Sequence, residues 1–227
     1  MISVSSLEKG HGGRTLFRDV SFRLLPGRRI ALVGGNGVGK TTILEIVVGH
    51  QRADAGEVHR TKDLTVGYLP QDLTDEVNDT VLAHVMAGAG ELAGMEEELR
   101  SLEADMASPD AAKAEAALDA YGEISTRFEA AGGYQLEAEA QRVLAGLGFK
   151  PSDANRSVSE LSGGWRMRAT LGQLLLAKPE VLVLDEPTNH LDVDSVTWLE
   201  EQLAAWPGSI LFVSHDRDFI DAVAERV

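Results

Sequence analysis

Apolar and polar positions fall into three textures along the chain. Over residues 1 to about 71, short β-like runs alternate with Gly-rich turns, at Val20–Leu24, Arg29–Val33 and Leu64–Leu69. From about 80 to 147 the sequence is rich in Ala, Glu and Leu, with few β-branched residues after Val85. From about 157 strand-like runs return, at Val181–Leu184 and Ile210–Val213, separated by helical stretches. Strands alternating with helices predict an α/β fold with a mainly parallel sheet flanked by helices. The middle region is then an insertion over about 80–147, and residues 1–79 and 148–227 form the core of a single domain.

Within the insertion, Leu92, Met95, Leu99, Leu102 and Met106 recur at three- and four-residue steps. The run Ser108-Pro109-Asp110 is a turn signal. Ala114, Ala117, Tyr121, Ile124 and Phe128 then repeat the spacing up to Gly132-Gly133. Two such stripes joined by a tight turn predict an antiparallel helical hairpin with a coiled-coil-like seam. At 1.5 Å per residue its first helix spans about 25–35 Å. The competing arrangement buries the same stripes inside a compact helical subdomain.

Composition narrows the setting. A chain of 227 residues, 44% hydrophobic, suffices for one large domain with an inserted part. No apolar run approaches the ~18 residues of a membrane span, and MISVSSLEKG has no charged-then-apolar leader pattern. With no cysteine, disulfides and thiolate metal sites are excluded. A cytoplasmic address without a membrane partner is the expectation. The net charge of −15 works against attachment to phosphate backbones or anionic lipid. Residues 91–145 hold thirteen acidic residues against four basic ones, a net charge of −9 that is a poor match to direct RNA contact. Arg166 and Arg168 form either a small basic patch or pairs with nearby acids.

The chemistry begins after the run Arg29–Val33, with Gly34-Gly35-Asn36-Gly37-Val38-Gly39-Lys40-Thr41-Thr42. This is G-x-x-x-x-G-K-[ST], the Walker A pattern, placed between a strand and a helix. Glycines let successive amides wrap a phosphate, and the helix N-terminus near Gly39 adds N–H groups and a favourable dipole. Lys40 is placed for the β- and γ-phosphates, the Thr41 hydroxyl for magnesium, and Thr42 for the α-phosphate region. A second site follows Val181-Leu182-Val183-Leu184, where Asp185 is placed to hold Mg2+ and Glu186 to polarise the attacking water. Ligands gather at the C-terminal ends of such buried strands.

The surrounding residues resemble the ABC ATPases over essentially the whole chain. Leu161-Ser162-Gly163-Gly164 precedes the carboxylates with 20 residues between, and Pro187-Thr188-Asn189-His190-Leu191-Asp192 follows them directly. Gln71 stands in Tyr68-Leu69-Pro70-Gln71, and His215 in Ser214-His215-Asp216-Arg217. The resemblance implies a P-loop ABC core with a small antiparallel β part. It makes Ser162, Gly163 and Gly164 the signature that binds ATP, Leu191-Asp192 the D-loop and His215 the switch histidine. Gln71 becomes the Q-loop glutamine, joining Thr41 and Asp185 around the metal, with Lys40, Glu186 and His215 as the catalytic set. His11 takes the place of the usual adenine-stacking Tyr or Phe. An imidazole stacks less strongly than a phenol, so the sequence leaves the adenine contact open.

LSGGWRMR and EPTNHLD are similar to the ABC-F branch, soluble ATPases with two ATPase domains in one chain that act on ribosomes in translation or antibiotic resistance. The insertion resembles the arm of an ABC-F first domain. The resemblance therefore implies ATP hydrolysis that needs a second ABC domain, in the same full-length chain or in a homodimer, and a ribosome as partner. The run Asp221–Val227 stops where family members continue, which suggests a truncated first domain. The ATP-hydrolysing subunit of a membrane transporter is the alternative, and a DNA-repair or chromosome-structure ATPase is a third reading.

Overall fold

The computed structural model describes residues 1–73 and 78–225. Two sheets form from the strand-like runs. β1 (Ile2–His11), β2 (Arg14–Leu24) and β4 (Ala55–Arg60) make an antiparallel sheet in the order β2-β1-β4. β3 (Arg29–Leu32), β5 (Val66–Leu69), β6 (Val181–Asp185) and β7 (Ser209–Val213) make a parallel sheet in the order β3-β7-β6-β5. The expected α/β class is borne out. β1 and β4 were not among the strand-like runs, because their alternation is broken. β1 shifts register against both neighbours between Val4 and Lys9, and four of the six residues of β4 are exposed, with Val58 its one larger apolar side chain.

The parallel strands explain their own composition. Side chains alternate across a strand, so a strand covered on both faces reads as an unbroken apolar run. In β6, Val181 and Val183 join the core facing the antiparallel sheet and α1 (Lys40–Val48), beside Ile43, Leu44 and Val47. Leu182 and Leu184 face the other way, into a larger core of helices. β7 repeats the division, with Leu211 and Val213 on one side and Ile210 and Phe212 on the other. Each fully buried side chain of this kind contributes about 1.5–3 kcal/mol. The central sheet is therefore the stiffest support available to whatever sits on its edge.

The helical insertion divides in two. α2 (Val81–Met86) and α5 (Leu136–Gly146) bury Val81, Val85, Ala140 and Leu144 in the main core with α6 (Gly163–Ala177), α7 (Val193–Ala204) and α8 (Arg217–Val223). The hairpin proper is α3 (Glu91–Met106) and α4 (Ala111–Ala130), held by its own small cluster of Leu99, Ile124 and Phe128 with Leu92, Met95, Leu102 and Tyr121. All seven belong to the two stripes, of which Met106, Ala114 and Ala117 lie outside the cluster. Bonds from Arg127 to Glu91, Tyr121 to Glu103 and Lys113 to Asp105 run antiparallel along the seam. Asp110 caps α4 by accepting from the Ala112 N–H at 3.0 Å. At 16 residues α3 is about 24 Å long, just under the expected span, because it begins only after Gly90.

Candidate functional site

Four parallel strands place four loops on one edge. Behind β3 comes the phosphate loop, behind β5 Gln71, at the end of β6 Asp185 and Glu186, and behind β7 His215. There a cavity of about 390 Å³ is lined by Asn36, Gly37, Gly39, Lys40, Thr41, Gln71, Asp185, Glu186, Asn189, Val213 and His215. Residues 36 to 215 in sequence thus meet in one space, as the motifs required.

The loop has the geometry of an anion cradle. Gly39 is the N-cap of α1 in the left-handed region at φ 96°, and a Cβ there would stand 2.9 Å from the Phe17 ring. Only glycine fits. No side chain caps α1, so its first amides are free to bind an anion with the helix dipole behind them. Lys40 Nζ donates to the carbonyls of Gly34 at 2.9 Å and Gly35 at 3.0 Å, which holds the ammonium over the loop. Gly34, Gly35 and Val38 build the loop without lining the cavity, and half-buried Thr42 lies one residue beyond Thr41.

Asp185 is 2% exposed, and neither of its oxygens has a hydrogen-bond partner among the described residues. Burial raises its pKa, against the weaker pull of the nearby Thr41 hydroxyl, which stands close without meeting hydrogen-bond geometry, and of the Lys40 charge. A buried carboxylate without partners is costly unless a cation meets it. That observation fits Mg2+, a hard ion that takes few protein oxygens and fills its shell with water and phosphate. Among the described residues no three His, Cys, Asp or Glu side chains cluster to hold a metal by themselves. Thr41, Asp185 and Gln71, the set the resemblance puts around magnesium, all line this one cavity.

Glu186 is fixed from several directions. Its φ of 51° is left-handed, a strained value for a residue with a Cβ. Its N–H donates to the Val213 carbonyl at 2.9 Å, tying the end of β6 to β7. Its Oε2 accepts the His215 N–H at 3.1 Å, and His215 Nε2 stands 3.3 Å from Oε1. Its carbonyl accepts the Asn189 N–H at 3.1 Å. Asn189 lines the cavity although the sequence reading gave it no role, and its place directly behind the carboxylates was the available signal.

Some expected residues stand apart. Ser162 caps α6 with no side-chain hydrogen bond, and it and Gly163 are exposed away from this cavity. Gly164 lies against His190, whose Cβ is 3.0 Å from where a Cβ of residue 164 would sit. His11 is exposed at the end of β1, paired with Arg14, and does not line the cavity. Leu16 and Phe17 come against Gly39 instead. Arg168 contributes to no surface patch: it is 8% exposed and bonded to Asp192 at 3.0 Å. The Asp192 carboxyl is lowered to about 2 by the Ser195 backbone N–H and by Arg168.

A phosphate loop, a carboxylate pair and a switch position on one edge of a parallel sheet define a nucleotide-binding domain of the P-loop class. The chain belongs to the ABC transporter family, whose model matches residues 17–189. Over the full chain it is 39% identical to the tylosin resistance ATP-binding protein TlrC of Streptomyces fradiae. It is 34% identical to ABC transporter F family member 5 of Arabidopsis thaliana, also over the full chain. Over 99% of the chain it is 36% identical to the energy-dependent translational throttle protein EttA of Mycobacterium tuberculosis. The resemblance to ABC-F proteins is thereby borne out. The chain spans 41%, 33% and 39% of those three relatives' lengths. A solved ATP-binding subunit of an ABC transporter superposes with a TM-score of 0.68 at 19% identity, covering 100% of this chain and 85% of that one, which supports the fold. Among the described residues no helix is long and apolar enough to cross a membrane.

Proposed function

We propose that this chain binds and hydrolyses Mg-ATP as one of two ATPase domains of an ABC-F protein that acts on the ribosome in the cytoplasm. The observation that carries the chemistry is the convergence of Lys40, Thr41, Asp185, Glu186 and His215 on one cavity at the strand ends. The loop amides and Lys40 bind the phosphates. Magnesium, when bound, neutralises phosphate charge and orients the γ-phosphate. Glu186, held between Val213 and His215, accepts a proton from the attacking water. His215 is placed to sense the γ-phosphate and report it to Glu186. Ser162, Gly163 and Gly164 complete the site of a second ABC domain, in the same full-length chain or in a homodimer. His11 or an aromatic near Gly39 supplies the adenine contact.

The ribosomal assignment draws on the relatives, one named a translational throttle and one a tylosin resistance protein, and on the helical hairpin. The fold by itself also suits the ATP-hydrolysing subunit of a membrane transporter. Sedimentation of the full-length protein separates the two. ATP-dependent comigration with ribosomes supports the ribosomal reading, and co-purification with membranes overturns it.

A further inference from the structure

Arg168 lies in the second turn of α6, beyond the exposed Ser162 and Gly163, and is 8% exposed. Its Nε and Nη2 both donate to the His190 carbonyl, Nε at 2.8 Å. Nη1 donates to the Leu147 carbonyl at 2.9 Å and to Asp192 Oδ2 at 3.0 Å. The guanidinium lies 4.4 Å from the centre of the Trp165 ring, and the Trp165 and Phe149 ring centres are 4.8 Å apart in an edge-to-face arrangement. One side chain therefore binds the signature helix, the end of α5 and the segment behind the catalytic carboxylates. A lysine has no planar fork with which to make these bonds together.

The segment it holds leads directly to the cavity. His190 has a left-handed φ of 69°, which a residue with a Cβ keeps only where its surroundings fix it. Asn189, one residue earlier, lines the cavity and is bonded to the Glu186 carbonyl. On the other side His190 rests on Gly164, where an added Cβ would stand 3.0 Å from the His190 Cβ, a tight contact. The turn from Glu186 to His190 is thus clamped to the signature helix by Arg168 below and Gly164 above.

We propose that Arg168 is a positioning residue for ATP hydrolysis: it holds the Glu186–His190 turn in register with the signature helix. Docking of Ser162 and Gly163 on a second domain then sets Glu186 in this domain's own cavity. The inference rests on the ATPase reading of the site. Arg168 touches neither the cavity nor the phosphate loop, so its loss acts on turnover and spares nucleotide binding.

The experiment measures kcat, KM and Mg-ATP affinity, with unfolding midpoints, for full-length protein carrying Arg168→Met or Arg168→Lys. Arg168→Met is expected to lower kcat at least about tenfold with ATP affinity within about threefold of the parent, and Arg168→Lys to lie between. A folded Arg168→Met with kcat within about twofold of the parent overturns the proposal. So does a parallel fall of kcat, ATP affinity and unfolding midpoint in both variants, which marks a purely structural ion pair. If Arg168→Met fails to fold, Arg168→Lys decides: reduced kcat with ATP affinity kept supports the proposal, and parental kcat overturns it. A parent protein that binds no Mg-ATP would instead overturn the ATPase reading itself.

Discussion

His215 flanks both carboxylate oxygens of Glu186: its backbone N–H donates to Oε2 at 3.1 Å, and its Nε2 stands 3.3 Å from Oε1, which has no hydrogen-bond partner among the described residues. A base aligned this way loses its function when made an amide, while its shape and its acceptor for the His215 N–H survive. Glu186→Gln in full-length protein is expected to retain ATP affinity and lose hydrolysis by about 10²–10⁴-fold. Single-turnover hydrolysis alongside equilibrium binding checks both halves. Turnover at the parental rate, with the equivalent acid of the second domain also changed, would assign the base elsewhere.

Lys40 is held over the loop by two carbonyls and carries no carboxylate partner among the described residues. A charged hydrogen bond to phosphate is worth about 1.5–3 kcal/mol, so Lys40→Ala is expected to weaken Mg-ATP binding by about 10–150-fold. Calorimetry measures this directly. Undiminished affinity would remove the loop from the nucleotide site.

Gly39 meets two independent constraints, a φ of 96° and the Phe17 ring 2.9 Å from any Cβ. Gly39→Ala is expected to lower stability by about 1–3 kcal/mol and to weaken ATP binding by misaligning the first amides of α1. Adding Phe17→Leu relieves the contact and leaves the backbone strain, so recovery is expected to be partial. Full recovery in denaturation and binding assays would show that the steric term was the whole effect.

The parallel sheet and the hairpin were legible because each has one period. β6 and β7 are apolar at every position, and the stripes of α3 and α4 keep helical spacing from Leu92 to Phe128. The phosphate loop, Asp185 and Glu186 were legible because their spacing is local and their residue types are demanded by phosphate and water chemistry, whereas His215 was reached through the resemblance to ABC ATPases and its place after a strand. Arg168 was legible only as a candidate partner of a nearby acid, which is its bond to Asp192; its other acceptors are backbone carbonyls, at Leu147 and His190, which no side-chain pattern marks. β1 and β4 were lost to broken alternation. The contact of Phe17 with Gly39 depends on how two sheets meet, which no window of sequence contains.

The hairpin is expected to be removable. Its buried residues Leu99, Ile124 and Phe128 form one cluster, with Ala117 also buried and Leu92 reaching the main core, whereas α2 and α5 share the main core directly. Replacing residues 91–131 with a short Gly/Ser linker is expected to leave Mg-ATP affinity within about threefold and to abolish ribosome comigration, because the linker spans a gap the helices already close. Insoluble protein from that deletion would show that the helices are required by the core.

Hydrolysis by this domain in isolation is expected to depend on concentration. Ser162 and Gly163 are exposed and do not line the cavity that holds Lys40 and Glu186, which fits the proposal that the signature of one copy serves the nucleotide of another. The chain spans 33–41% of the length of the three relatives named above, and a second ABC domain joined by a linker would act at a high local concentration. Separated from it, closure becomes bimolecular. The specific rate of the 227-residue chain is then expected to be low at nanomolar protein, to rise with concentration, and to recover when a second domain is added in trans or by fusion. Glu186→Gln sharpens the test, because blocked hydrolysis lets Mg-ATP accumulate in closed pairs that sedimentation detects. A specific rate that is high and flat from nanomolar to micromolar chain, with no ATP-dependent association of the variant, would mean that one copy supplies every group the reaction needs.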